Sequence, residues 1–144
     1  MEFSRGERHL NLYMRNYFYK TVVAEVTNRV RELSGSKQCI LIGIDGCGGS
    51  GKSTFAAELS ESLETAPIIH MDDFYKPSPE RKHITNTTSI GWQFDWQRLK
   101  TDVLQSIITR GYAQYQQYDW NKDCLAELRT IQACSRSLLK GFMS

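Results

Sequence analysis

At 144 residues, 40% hydrophobic and 24% charged, the chain has the size and balance of one soluble globular domain able to bury its own core. Its 18 basic and 16 acidic residues leave a net charge of +2, which argues against a polyanion-binding surface and so against nucleic acid as a partner. No apolar run approaches a membrane span, Glu2 and Glu7 spoil a leader peptide, and Cys39, Cys47, Cys124 and Cys134 lack paired zinc spacing; a cytoplasmic protein with reduced thiols and no membrane contact is expected.

Residues 1–15 are polar and mixed and read as a loose lead-in. From about Asn16, Tyr19, Val22, Val23, Val26, Val30 and Leu33 recur at three and four residues, the stripe of an amphipathic helix that Ser34-Gly35-Ser36 stops. Such a helix covers a sheet or, as the alternative, offers a surface to a partner. The continuous apolar run 39–44 predicts a central parallel strand buried on both faces.

Directly after it comes Gly46-Cys47-Gly48-Gly49-Ser50-Gly51-Lys52-Ser53. A triphosphate needs converging positive dipoles, a cation for its terminal phosphates and an oxygen ligand for magnesium. Glycines let successive backbone N–H groups turn inward, and a following helix adds the positive end of its dipole. Lys52 then reaches the β- and γ-phosphates, and the Ser53 hydroxyl ligates Mg²⁺. A glycine-rich strand-to-helix turn that binds nothing is the bland alternative. The cradle's helix is expected over 53–64, with Pro67 beyond its end, and a second strand over 67–71.

That strand runs into Asp72-Asp73-Phe74-Tyr75. Two carboxylates at a strand's C-terminal tip would face the same crevice as the cradle, where one can orient an acceptor hydroxyl or take its proton. Both acids capping a turn is the alternative. His70 reads as a packed or hydrogen-bonded histidine. Lys76-Pro77-Ser78-Pro79 and the cluster Arg81, Lys82, His83 begin a long loop, 76–91, whose cations meet phosphate or substrate, or simply solvent. Asp95 looks like an N-cap for a helix carrying Trp96, Leu99, Val103, Ile107 and Ile108, stopped by Gly111. In 111–120, Tyr112, Tyr115, Tyr118 and Trp120 could stack on a planar base or pack structurally. A short helix is expected over 123–131, and a third strand at Leu138-Leu139, ending in Lys140-Gly141.

These residues resemble the P-loop nucleoside kinases of the uridine kinase type, a family with phosphoribulokinase-like and nicotinamide riboside kinase-like members. The resemblance covers roughly residues 40–128. It rests on the cradle and on Met71-Asp72-Asp73-Phe74-Tyr75-Lys76-Pro77, supported by Phe94-Asp95-Trp96-Gln97-Arg98-Leu99 and Tyr118-Asp119-Trp120. It implies an α/β, P-loop NTPase-type three-layer α/β/α fold with a parallel sheet, forming one domain over 1–144. It implies transfer of the ATP γ-phosphoryl group, with Mg²⁺, to a hydroxyl of a nucleoside or similar small molecule. Asp72 falls on the family's catalytic carboxylate, with Lys52 beside the transferred group. Gly46, Gly48, Gly49, Ser50, Gly51, Lys52, Ser53 and Thr54 fall on the nucleotide-binding positions, Ser53 on the metal position, and Asp73, Tyr75 and Arg81 on the acceptor side.

Two departures stand out. Residues 87–93 lack the family's acid-bearing segment, and Lys140-Gly141 stands where the family ends a strand in Glu-Gly, which should weaken Mg²⁺ binding. The family continues with further strands, an arginine-bearing lid and an adenine pocket, so the sheet is expected to be incomplete at its C-terminal side. The alternative function is therefore a truncated or diverged nucleotide-binding module with little or no kinase activity. An uncovered edge or apolar face would also favour self-association.

Overall fold

The chain opens with α1 (Arg5–Ser34), β1 (Leu41–Ile44), α2 (Lys52–Ser62) and β2 (Ile68–His70), followed by a 3₁₀ turn at Met71–Phe74 and the short α3 (Ser78–Arg81). A helical segment comes next, made of α4 (Trp96–Arg98), a π-helical stretch Leu99–Gln105 and α5 (Ser106–Arg110); β3 (Tyr112–Asp119), β4 (Cys124–Gln132) and β5 (Leu138–Gly141) complete it. This computed structural model describes residues 5–35, 39–81, 91–132 and 138–141, with backbone alone for 5–16 and 138–141. Most of the loop expected over 76–91, including Lys82 and His83, and Cys134 therefore lie outside the described residues.

β1, β5 and β2 form a parallel sheet in that order, so the strand expected at Leu138 sits in the middle. Ile44 and His70 both pair with Gly141, and β1 and β2 consequently end at one level on either side of β5. β1 itself is not central as expected. Among the described residues it is an edge strand: Ile44 is buried, while Leu41 and Gly43 are exposed. An apolar run alone does not distinguish a middle strand from an outer one.

α1 starts at Arg5, so most of the expected lead-in is helical. No proline interrupts residues 5–34, and Gly6 sits in the first turn, where a glycine costs little. The helix ends before Gly35 as the sequence predicts. Val23 and Val30 of its apolar stripe pack with Ile44, Ala56, Leu59 and Leu63 in one core cluster beneath α2.

A second cluster joins β2 to the rest through Ile69, Met71, Phe74, Leu99, Val103, Ile107 and Tyr115. The Asp95 cap is present, its Oδ1 accepting from Arg98 N–H at 3.0 Å, and Gly111 ends the segment at φ 78°. Leu99, Val103 and Ile107 are buried, whereas Ile108 is left exposed.

The helix expected over 123–131 is the strand β4, paired antiparallel with β3. Leu125, Leu128 and Ile131 mimic a helical spacing, but a partner strand with alternating inward Ala113 and Tyr115 and outward Gln114 and Gln116 decides the conformation. Phe74 links this hairpin to the sheet. It is fully buried and stacks on Tyr115 at 5.1 Å between ring centroids. Phe74→Ala should lower unfolding free energy by about 3–5 kcal/mol in denaturant titration; a loss below ~1 kcal/mol would mean the two halves are not packed through this ring.

Candidate active site

The loop between β1 and α2 owes its shape to particular glycines. Gly51 precedes the helix at φ 88°, a left-handed conformation that side chains disfavour. At Gly46, a Cβ would lie 3.0 Å from Ser50 Oγ. The loop is closed by Ser50 N–H donating to Cys47 O at 3.2 Å, and Asp45 Oδ1 accepts from Gly46 N–H at 2.8 Å.

Lys52 opens α2 and is 92% buried, with its ammonium donating to the carbonyl oxygens of Gly46 and of Cys47, the latter at 2.8 Å. The loop thus folds around a cation. Ser53 and Thr54 follow in the first helical turn, which holds no acid to repel an anion. Gly48, Gly49 and Ser50 form the exposed rim. A cavity of about 510 Å³ opens beside the loop, between Ile44, Lys52 and Phe55 and the α1 residues Tyr19 and Val26.

Across β5 lies the 3₁₀ turn that follows β2. Shared pairing with Gly141 puts this turn and the cradle at the same end of the sheet, and two strand spacings separate them by about 10 Å. This is the carboxyl end of the strands, where open α/β sheets gather ligands. Lys140 pairs with Gly43 and Ile69, one register step before that level.

The two carboxylates of the turn separate cleanly. Tyr115 donates its hydroxyl to Asp73 Oδ2 at 3.0 Å, and Arg98 Nη2 donates to the Asp73 carbonyl at 3.2 Å. Asp73 thereby anchors the turn to β3, and burial with the nearby Asp73 charge pushes the Tyr115 hydroxyl well above its ordinary range. The Asp72 carboxylate accepts no hydrogen bond among the described residues and caps no helix. Burial raises its pKa above the usual carboxylate range; His70 opposes the shift and the Asp73 charge adds to it. Of the pair, Asp72 is the available base.

Tyr75 and Arg81 belong to a neighbouring cluster. The Tyr75 ring lies 4.7 Å from Trp120 and 5.4 Å from Tyr118, with the Arg81 guanidinium 4.6 Å above it. Arg81 also donates to Lys76 O and Ser78 Oγ, each at 2.8 Å. The aromatic run of the sequence is therefore divided: Tyr115 is core, whereas Tyr118 and Trp120 face Tyr75.

Asp123 ties this cluster together and is a residue that sequence reasoning missed. Its Oδ1 accepts from Ser78 N–H at 2.9 Å and from the Tyr118 hydroxyl at 2.6 Å. The available signal was Asp119-Trp120-Asn121-Lys122-Asp123, a turn between two alternating stretches, in which Asp119 Oδ1 accepts from Asn121 N–H at 2.9 Å.

Hydrogen bonds from Ser78 and Tyr118, with Arg81 nearby, hold the Asp123 carboxyl down at about 2. A depressed carboxylate stabilises the fold above its unfolded pKa, near 4, and that contribution disappears as pH falls from about 4 to about 2. Asp123→Asn should thus lower the melting temperature at pH 6 and narrow its difference from wild type toward pH 2.5. A melting difference independent of pH would contradict the assignment.

No family model matches the chain. A nicotinamide riboside kinase from Eremothecium gossypii is 40% identical over 55 residues, which is 38% of this chain and 23% of that protein. Its counterpart from Saccharomyces cerevisiae is 44% identical over 45 residues, 31% of this chain and 19% of that protein. The similarity thus spans less than a quarter of the length of these relatives. A solved structure described as a possible uridine kinase from Bacillus stearothermophilus superposes with a TM-score of 0.61 at 21% identity, over 83% of this chain and 72% of that one, and shows a shared α/β fold. The resemblance to P-loop nucleoside kinases is supported from both directions, local sequence and overall fold.

Proposed function

We propose that this chain transfers the γ-phosphoryl group of ATP to a hydroxyl of a nucleoside or a similar small molecule, between the 46–53 cradle and Asp72. The observation that carries the reading is the pairing of a caged cation, Lys52, with a half-buried carboxylate that lacks a donor, both at one end of the parallel sheet. The kinase relatives and the shared fold support it.

In this reading the phosphates replace the Gly46 and Cys47 carbonyls as partners of the Lys52 ammonium, and the first turn of α2 supplies N–H groups and its dipole. The acceptor oxygen forms its bond to the γ-phosphorus as the bond to the β,γ-bridging oxygen breaks. ADP leaves, and the acceptor's proton passes to Asp72, whose raised pKa makes it a stronger base than a solvated aspartate. Trp120, 60% exposed beside Tyr75, offers a flat face for a planar ring on the acceptor.

Mg²⁺ fits as a nucleotide-borne ion. The Ser53 hydroxyl would hold it together with phosphate oxygens, and the described residues contain no acidic cluster that would bind it alone. When bound, it would neutralise charge developing on the β- and γ-phosphates. The fuller picture we infer is a three-layer α/β/α kinase domain acting in the cytoplasm on a nucleotide and a small molecule.

Lys140 favours a second reading. A lysine in the middle strand, between cradle and Asp72, stands where the resembling family carries an acid, and this fits a module that binds nucleotide without turning it over. Calorimetric titration with ATP and Mg²⁺, alongside ADP release over a nucleoside panel, separates the two. Binding with acceptor-dependent ADP release supports the kinase. Binding with none supports the module, and no binding overturns both.

A further inference from the structure

The carboxylate read as the base sits on a turn that is held from outside it. Asp72 is the second residue of the 3₁₀ turn Met71–Phe74, and Tyr75 N–H closes that turn on the Asp72 carbonyl at 3.3 Å. A short 3₁₀ turn has poor hydrogen-bond geometry and fixes a side chain's direction weakly by itself. The two residues after Asp72 supply what the turn lacks.

Asp73 is gripped at both of its acceptors. Its carboxylate takes the Tyr115 hydroxyl at 3.0 Å, and its carbonyl takes Arg98 Nη2 at 3.2 Å. Phe74 is gripped by the same neighbours. Its carbonyl accepts from Asp95 N–H at 2.7 Å, and its fully buried ring stacks on Tyr115 at 5.1 Å and meets the Arg98 guanidinium at 5.1 Å. Two segments, the cap of α4 and the strand β3, thus converge on the residues that follow Asp72.

The groups that do this are polar and buried. The Arg98 side chain is 11% exposed; Nη1 donates to Gln116 O in β3, Nη2 to Asp73 O, and Nε stands 3.5 Å from Asp95 Oδ2. A planar guanidinium can meet these three partners at once, which the single ammonium of a lysine cannot do in the same geometry. Tyr115 is 1% exposed, and its hydroxyl meets a carboxylate instead of solvent. A core alone needs neither group, since phenylalanine would fill the Tyr115 site and keep the stack on Phe74, and burying a cation costs desolvation. What the polar contacts add is a single orientation of the turn.

We infer that Tyr115 and Arg98 are positioning residues for phosphoryl transfer: by fixing Asp73 and Phe74, they aim the Asp72 carboxylate at the acceptor hydroxyl. The role rests on the reaction proposed between the cradle and Asp72. Neither residue touches the reacting atoms in it. A base displaced by about 1 Å can lose on the order of 10²-fold in rate, so contacts that only hold the turn are felt in kcat.

The test compares Tyr115→Phe, which removes one hydroxyl and keeps the ring, with Arg98→Lys, which keeps the charge and loses the forked contact. Acceptor-dependent transfer of labelled γ-phosphate is measured beside a melting curve. Each variant should lower kcat about tenfold or more and leave KM for ATP within about twofold. A double-mutant cycle separates aiming from a general loss of stability. With Asp72→Asn there is no base left to aim, so adding Tyr115→Phe should change the residual kcat less than about twofold; the Arg98→Lys cycle makes the same comparison should Tyr115→Phe fail to fold. An equal fold-loss in both backgrounds, or wild-type kcat in both variants, would overturn the role and leave the phosphoryl-transfer reading standing. A wild type without acceptor-dependent transfer would overturn that reading and the role with it.

Discussion

Replacing Lys52 by alanine is expected to lower ATP-dependent turnover at least ~100-fold, the scale of removing one preorganised charge from a developing anion. Nucleotide affinity should fall as well, because in the proposed reading Lys52 exchanges its loop carbonyl partners for the β- and γ-phosphates. The fold should survive. The Lys52 ammonium serves loop carbonyls rather than the packed core, and α2 is held through Ala56 and Leu59. The measurement is kcat/KM with a parallel melting curve. Near-native melting with turnover lost is the expected pair, and wild-type turnover in Lys52→Ala would remove the cradle from the mechanism.

Asp72→Asn should lower kcat by about 10²–10⁴-fold, the usual contribution of a positioned base, while leaving ATP binding near wild type. A pH profile gives the same residue a second signature. The Asp72 pKa lies above the ordinary carboxylate range, so wild-type kcat should be full above it and fall as pH drops through it, because the protonated carboxyl cannot accept the hydroxyl proton. The acid limb should vanish in the variant. Stability should move the other way. A carboxylate whose folded pKa is raised opposes folding once it is ionised, above its unfolded pKa, so Asp72→Asn should melt at or above the wild-type temperature near pH 7. A variant that lost activity and stability together would mark Asp72 as structural instead.

The cradle was legible because all of it is local: a strand, a spacing of glycines, a lysine and a serine within one turn. The choice between Asp72 and Asp73 was not legible in the residues themselves; only the family resemblance favoured Asp72. That choice depends on Tyr115, 42 residues further along the chain, whose hydroxyl occupies Asp73 and leaves its neighbour unpartnered. From the sequence Arg81 read as a cation for phosphate or substrate, or simply for solvent. The structure engages it with Lys76, Ser78 and Tyr75, a contact set centred on a loop whose fold the sequence did not predict.

The misread elements share a cause. Residues 123–131 carry apolar side chains at helical intervals, and only pairing with β3 makes them a strand, which in turn delivers Asp123 to the turn beside Tyr118. Residues 5–15 show no apolar period, yet they extend α1, because an uninterrupted chain of acceptable helix formers can continue a helix already nucleated further on. The run 39–44 was read correctly as a strand and wrongly as a central one, since strand order is a property of the whole sheet.

The central claim is that the cradle and Asp72 act on one phosphoryl group. Phosphorus NMR of the intact chain with ATP, Mg²⁺ and nucleoside acceptors, including nicotinamide riboside, tests it most directly. The account predicts a phosphate monoester resonance that grows only when an acceptor is present and is absent from both Lys52→Ala and Asp72→Asn. ATP that stays intact beside every acceptor, or a monoester formed equally fast by Lys52→Ala, would contradict it.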